Sequence, residues 1–150
     1  MQFIVLINVA IFFVSAAALG CVGCIEILHE NGAEIDARDQ NGQTPFHQAV
    51  AAGKTDCAKL FISFGAKLSA QDNRLRCCIH LAVENGREET LSMLLSEAGS
   101  DLVNIPDHKQ RTSLHYASRA DNPKVFICFS WCCCYSFALK VSGKPANCAA

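Results

Sequence analysis

A surplus of charge of either sign is what this sequence lacks most: 13 Lys and Arg stand against 14 Asp and Glu, a net charge of −1 over 150 residues. A general nucleic-acid binder needs a clear basic excess, so that class is set aside. Charged residues are also few, 18% against 51% hydrophobic, where an average soluble domain has roughly 25% charged. With so much apolar surface to bury, the chain as a whole is not expected to be disordered. No Asn-x-Ser/Thr sequon occurs, which disfavours an extracellular home. There is no phosphate-cradling glycine-rich loop, no nucleophile beside a base, and no slot of paired carboxylates, so no catalysis and no cofactor are expected. Cys21-Val22-Gly23-Cys24 is a C-x-x-C without a second copy or a strand–helix setting, which leaves neither half a zinc ribbon nor a thioredoxin-type site. The ten cysteines include the consecutive Cys132, Cys133 and Cys134, a spacing that builds no disulfide framework.

What is present is a period. Gly32-Ala33 returns as Gly65-Ala66 and Asp39 as Asp72, each 33 residues on. His47 returns as His80 at 33 and as His115 at 35, and Ala49, Ala82 and Ala117 keep the same spacings. Gly53 and Gly86 share the register for one step. The two extra residues fall within 99–107 and enlarge one loop. Several residue types repeating in one register is the mark of a repeat architecture.

Each unit reads as two short helices and a turn. Thr44-Pro45 puts a capping hydroxyl ahead of a proline at the first helical position. Phe46, Ala49 and Val50 form a short apolar face, and Cys57, Ala58, Leu60, Phe61 and Ile62 a second at helical spacing. Gly65 can take the left-handed conformation that ends a helix. Arg38-Asp39-Gln40-Asn41-Gly42 and Gln71-Asp72-Asn73 are turn chemistry. Helices this short must stack on neighbours to bury their stripes.

These residues resemble the ankyrin repeat, whose signature is Thr-Pro-Leu-His-x-Ala on a 33-residue period. The signature stands here as Thr44-Pro45-Phe46-His47-Gln48-Ala49, Cys77-Cys78-Ile79-His80-Leu81-Ala82 and Thr112-Ser113-Leu114-His115-Tyr116-Ala117. A degenerate copy starts near Phe12. The resemblance implies an all-α fold, an α-solenoid of helix-turn-helix units with hairpin-like loops projecting to one side. It divides the chain into an array over 12–124, with units of about 12–40, 41–73, 74–108 and an incomplete 109–124. Three departures matter. Leu75 and Gln110 occupy the slot of Gly42, and Cys77-Cys78 replaces the Thr-Pro cap. Losing a threonine cap costs about 1 kcal/mol, so the third unit is expected to be the softer one.

Two ends stand outside the array. Residues 1–11 belong to an apolar run, Phe3 to Leu19, that reads either as a signal or anchor segment or, from Phe12, as the first repeat helix. Residues 125–150 are an apolar, Cys-rich tail where the period stops. It reads as a lid on the last repeat, as an acylated membrane contact, or as an alternative exon or read-through, the last being favoured. Membrane contact is therefore confined to residues 3–19 or 125–139.

His47, His80 and His115 share one slot and so form a row, not a metal site; the resemblance makes them ties between adjacent units. Cys24 lies 33 residues before Cys57, a slot that suits a small buried residue. The unpaired cysteines point to a cytoplasmic location, with a membrane-associated or secretory one as the alternative. In arrays of this kind loop tips and first helices grip another protein. The expected contacts are Gln40, Gln43, Gln48, Asn73, Arg74, Arg76, Leu81, Lys109, Arg111 and Tyr116. Arg74 with Lys109, and Arg76 with Arg111, would form a two-by-two cationic patch beside His108, partly offset by Asp72 and Asp107, that receives an acidic segment. The chain thus reads as a non-enzymatic protein-binding module or scaffold. Its repeats also resemble those in the cytosolic arrays of transient receptor potential ankyrin channels, so a piece of such an array, or a tethered or secreted ankyrin protein, is the alternative.

Overall fold

Thr44 shows why each unit begins where it does. Its extended backbone halts the preceding loop, and its hydroxyl accepts the His47 N–H while the His47 imidazole reaches back to the Thr44 N–H. Pro45 follows at the first helical position, and Gly53 closes the helix with φ 74°, a left-handed conformation that costs glycine nothing. The computed structural model describes residues 2–99 and 101–128, with the side chains of the first helix described from Asn8 onward. In order, the helices are α1 (Gln2–Leu19), α2 (Val22–Glu30), α3 (Pro45–Ala52), α4 (Thr55–Ser63), α5 (Cys78–Glu84), α6 (Glu88–Ala98) and α7 (Ser113–Arg119). Residues 123–128 are again helical, and among the described residues there is no strand.

The helices form two rows. α1, α3, α5 and α7 lie side by side in one, α2, α4 and α6 in the other, and each pair α1–α2, α3–α4 and α5–α6 packs across. This is an α-solenoid. The core lies between the rows and repeats with the sequence: Phe13, Phe46 and Ile79 occupy one slot and Ile25, Ala58 and Leu91 another, all fully buried. Ala16, Ala49, Ala82 and Ala117 form a third, where a small side chain lets neighbouring helices approach. Phe13 meets Phe61 edge to face at 5.3 Å between ring centroids. The enlarged loop is filled by a 3-10 turn, Leu102–Asn104, whose Leu102 and Val103 are buried.

Three sequence expectations change. The first helix runs without a break across the 11/12 boundary. It is also much longer than α3, α5 and α7, so the apolar segment and the first repeat helix are one element. Its Phe13, Ala16 and Ala17 are buried in the array. Among the residues whose side chains are described, no helix is long and apolar enough to cross a membrane. Second, Cys24 does not share the burial of Cys57. It is joined to Cys21 in a disulfide and is exposed, α2 having a second-row neighbour, α4, on one side only among the described residues. Third, Cys77 does not leave its cap vacant: its Sγ lies 3.1 Å from His80 Nδ1 and takes the place of the threonine hydroxyl. Leu75 and Gln110 hold the left-handed conformation of Gly42, at φ 58° and 60°, despite carrying side chains. Most of the Cys-rich tail, from residue 129 on, lies outside the described residues.

The histidine row ties the stack. The Thr44 N–H points at His47 Nδ1, so Nδ1 accepts and Nε2 carries the proton, which it donates at 3.0 Å to the Ala70 carbonyl in the loop that leads to the next unit. His80 repeats this with Cys77 and the Arg111 carbonyl at 3.3 Å. Burial pulls the His47 pKa below the usual imidazole value, against the pull of the Ala70 carbonyl, so the ring stays neutral and able to accept.

His47→Ala strands a buried N–H and a buried carbonyl as well as leaving a cavity, and is expected to cost about 2–4 kcal/mol in urea unfolding. Cys77→Thr replaces a weakly accepting thiol with a hydroxyl in the same geometry and should raise stability by up to about 1 kcal/mol. A Cys77→Thr protein that unfolds at lower urea than the wild type would show that the sulfur's packing outweighs its weak capping.

Candidate functional site

The loops between units owe their shape to one aspartate each. Asp39 Oδ1 accepts the N–H groups of Asn41 and Gln43, both at 2.8 Å. Asp72 Oδ1 does the same for Arg74 and Arg76, and Asp107 Oδ1 for Lys109 and Arg111. Each carboxylate thereby folds its own loop tip into a turn. Successive tips are then laced together: Asn73 donates its backbone N–H to the Asn41 carbonyl, and His108 its own to the Arg74 carbonyl, both at 3.0 Å. Arg38 reaches the Gln71 carbonyl at 2.6 Å. The tips form a fixed ledge.

The second oxygens of Asp72 and Asp107 hold arginines. Arg76 pairs with Asp72 at 2.9 Å and with Glu84 of α5 at 2.6 Å. Arg111 pairs with Asp107 at 2.7 Å while its guanidinium sits 4.8 Å from the centre of the Tyr116 ring. Tyr116 donates its hydroxyl to Asp107 at 2.7 Å. Burial alone would raise the Asp107 carboxyl, but the Arg111 guanidinium and the surrounding N–H and O–H donors hold it well below the usual carboxylate range. Burial and the Asp107 carboxylate together push the Tyr116 hydroxyl up to about 12. Asp72 is depressed in the same way: the Arg76 N–H and guanidinium overcome its burial.

Between this ledge and the faces of α5 and α7 lies a hollow of about 330 Å³, lined by Arg74, Arg76, Glu84, His108, Lys109, Arg111 and Tyr116. It adjoins a second, of about 220 Å³, that adds His115, Arg119 and Ala120. At the other end of the ledge, Ala10, Ile11, Val14 and Ser15 of α1 face Arg38, Asp39, Gln40 and Asn41 across about 390 Å³.

The residues expected to touch a partner separate under this geometry. Gln40, Asn73, Arg74 and Lys109 are exposed at the tips, while Gln43, Gln48 and Tyr116 are half-buried, the two glutamines hydrogen-bonded to each other. Leu81 is corrected: at 3% exposure it is core, because α5 is flanked by a helix on either side, α3 and α7. The two-by-two patch is corrected as well. Arg76 and Arg111 are held by carboxylates, so the free cations are Arg74 and Lys109, neither of which has an acidic partner among the described residues. Glu84 and Arg119 join the hollow without having been singled out. Their signal was a shared slot, 35 residues apart, on the exposed side of a first helix.

His47, His80 and His115 each bond within the cap of their own unit. Among the described residues no three His, Cys, Asp or Glu side chains are grouped to hold a metal ion.

Two rows of paired helices with a laced loop ledge along one edge define a repeat solenoid whose usable surface is its edge. Comparison with known families gives the kind: residues 13–106 match a model of ankyrin repeats in three copies. The chain belongs to the ankyrin repeat family, whose members are generally protein–protein interaction modules. No curated protein matches it.

Asp107→Asn keeps the shape of the side chain but removes the charge that holds Arg111 and Tyr116. It is expected to lower stability by about 1–3 kcal/mol. The pH dependence has a definite sign. A carboxyl whose folded pKa is depressed contributes stability above its unfolded pKa and loses it as the pH falls through the folded value. Wild-type melting temperature should therefore decline below about pH 4. The decline should be shallower in Asp107→Asn, with Asp72 left to account for the remainder. Equal acid slopes would remove Asp107 from this role.

Proposed function

We propose that this ankyrin array is a non-enzymatic binding module that takes an acidic segment of a partner protein along its ledge, with Arg74 and Lys109 as the charges that meet it. The observation that carries the reading is the division of labour among the cations. Asp72 and Asp107 lie behind the ledge, buried and already engaged, while Arg74 and Lys109 project from fixed tips with no acidic partner among the described residues. Setting the four cations of the larger hollow against Glu84 and the two aspartates leaves one positive charge, and Arg119 adds another. That is too little for a nucleic acid and enough to orient a short acidic stretch. Charges of this kind chiefly raise the encounter rate and fix orientation. The apolar wall of Ile11 and Val14 at the far end gives such a segment a place to set a hydrophobic side chain. The buried free thiols Cys57, Cys77 and Cys78 support a reducing compartment.

The test is fluorescence anisotropy with a labelled Glu- and Asp-rich peptide, a Lys-rich peptide of equal length as control, and a series of NaCl concentrations. The acidic peptide alone should bind, and more weakly as salt rises. Arg74→Glu with Lys109→Glu should weaken it about tenfold, which is about 1.4 kcal/mol. Binding that ignores both the double reversal and the salt would end the proposal.

A further inference from the structure

The disulfide between Cys21 and Cys24 plays no part in the ledge. It spans the first turn of α2, with Cα atoms 5.3 Å apart and two residues between the cysteines. Cys21 is the residue capping α2, half-buried, and Cys24 is exposed. The corresponding residues of the next two units are Lys54 with Cys57 and Arg87 with Thr90, and there Cys57 and Thr90 are both 1% exposed. So among the described residues this pair occupies a helix start in the second row that has no neighbouring helix on one side. Cys57, Cys77 and Cys78, by contrast, are sealed in the core. Lys54 also reaches this end of the row. Its stem lies across Gly20, the residue before Cys21, so closely that a Cβ there would fall 2.8 Å from the Lys54 Cδ.

We infer that Cys21 and Cys24 form a redox-active site that exchanges with low-molecular-mass thiols and disulfides while the array stays folded. The chemistry follows from the two positions. An incoming thiolate reaches the exposed Cys24 Sγ, forms a mixed disulfide with it, and expels Cys21 as the thiolate. That departing negative charge arises on the residue that caps α2, next to Gly20, across which the Lys54 stem lies. A helix N-terminus and a neighbouring cation are the two surroundings that favour a thiolate. A second thiolate then attacks the external sulfur of the mixed disulfide, releasing the small-molecule disulfide and leaving Cys24 as a thiolate. Two electrons have passed from two external thiols to the protein pair, and the reverse sequence oxidises it again. Because the ring closes only one helical turn, opening it leaves both rows of the solenoid in contact.

Full-length protein equilibrated in native buffer with mixtures of reduced and oxidised glutathione, acid-quenched and labelled with N-ethylmaleimide, tests this directly. Mass spectrometry of the peptide carrying residues 21 and 24 should show a single two-thiol transition within the glutathione range. Cys57, Cys77 and Cys78 should remain reduced throughout, and the circular dichroism should not change. In Cys24→Ser the exchange cannot close, so oxidised glutathione should leave one glutathione on Cys21. Lys54→Met should slow that addition without altering the thermal melt. A pair that stays oxidised, or stays reduced, at every glutathione ratio would overturn the inference. So would a transition at which the helical signal is lost, since the exchange would then belong to unfolded chains.

Discussion

The stack depends on hydrogen bonds that reach from the first turn of a first helix to the loops that join one unit to the next. The imidazole of His47 accepts from its own cap through Nδ1 and donates through Nε2 to the carbonyl of Ala70, in the loop between α4 and α5. A helix of eight residues has too few internal bonds to persist in water. Tying its first turn to the loop that leads into the next unit fixes the path of the chain from one unit to the next. His80 makes the same bridge to Arg111. Leu114 acts as an internal control for the packing: Phe46 and Ile79, in its slot, are at most 1% exposed, and Leu114 is 49% exposed. The side chain is as apolar as its row-mates, and the difference is that among the described residues no unit stacks beyond it. Burial here is a property of having a neighbour on both sides.

The same economy shapes the edge. An aspartate with both oxygens engaged does two jobs, folding a loop tip with one and anchoring an arginine with the other. Asp107 is fully buried, a position that a carboxylate holds only when it is paired and hydrogen-bonded. Five hydrogen bonds from Lys109, Arg111 and Tyr116 supply that, and they also fix Arg111 and Tyr116 in place. The charge offered to solvent is therefore decided by whichever cations the aspartates do not take. Composition misleads on this point, since a chain of net charge −1 can present a locally basic ledge once its carboxylates face inward.

Much of the fold was legible because a repeat states its own structure several times over. The 33-residue register located the helix pairs, the loops and the enlarged connection before 107, and it located the caps through Thr44, Cys77 and Thr112. What the register could not show was how a slot is used in a particular unit. Arg76 and Arg111 read as free cations because their aspartate partners sit four residues earlier, across a turn whose closure depends on backbone N–H groups with no side-chain signature. Leu81 shares its slot with the half-buried Gln48 and Tyr116, so the slot has no fixed exposure. Cys24 shared a slot with two buried residues and was exposed, because a slot's burial lapses at the end of a row. The continuity of α1 was likewise invisible: nothing in an apolar run of that length says that a single helix carries both it and the Phe13 that packs on Phe61.

The cysteines show how position in a stack sorts residues of one chemical kind. Cys57 is lined by the core, and burial raises its thiol pKa, which keeps it protonated and inert. Cys77 meets an imidazole, yet that ring already accepts the Cys77 backbone N–H on the same nitrogen, so Nδ1 has no proton to give the sulfur, which instead accepts the His80 backbone N–H as the cap of α5. Cys21 and Cys24 differ from these in neither residue type nor distance along the repeat, only in lying where a row ends. A solenoid covers every interior slot twice and each terminal slot once. Reactive chemistry in such an array is therefore confined by geometry to its terminal units and its loop edge, and this chain places its exposed sulfur pair at the first and its unpaired cations along the second.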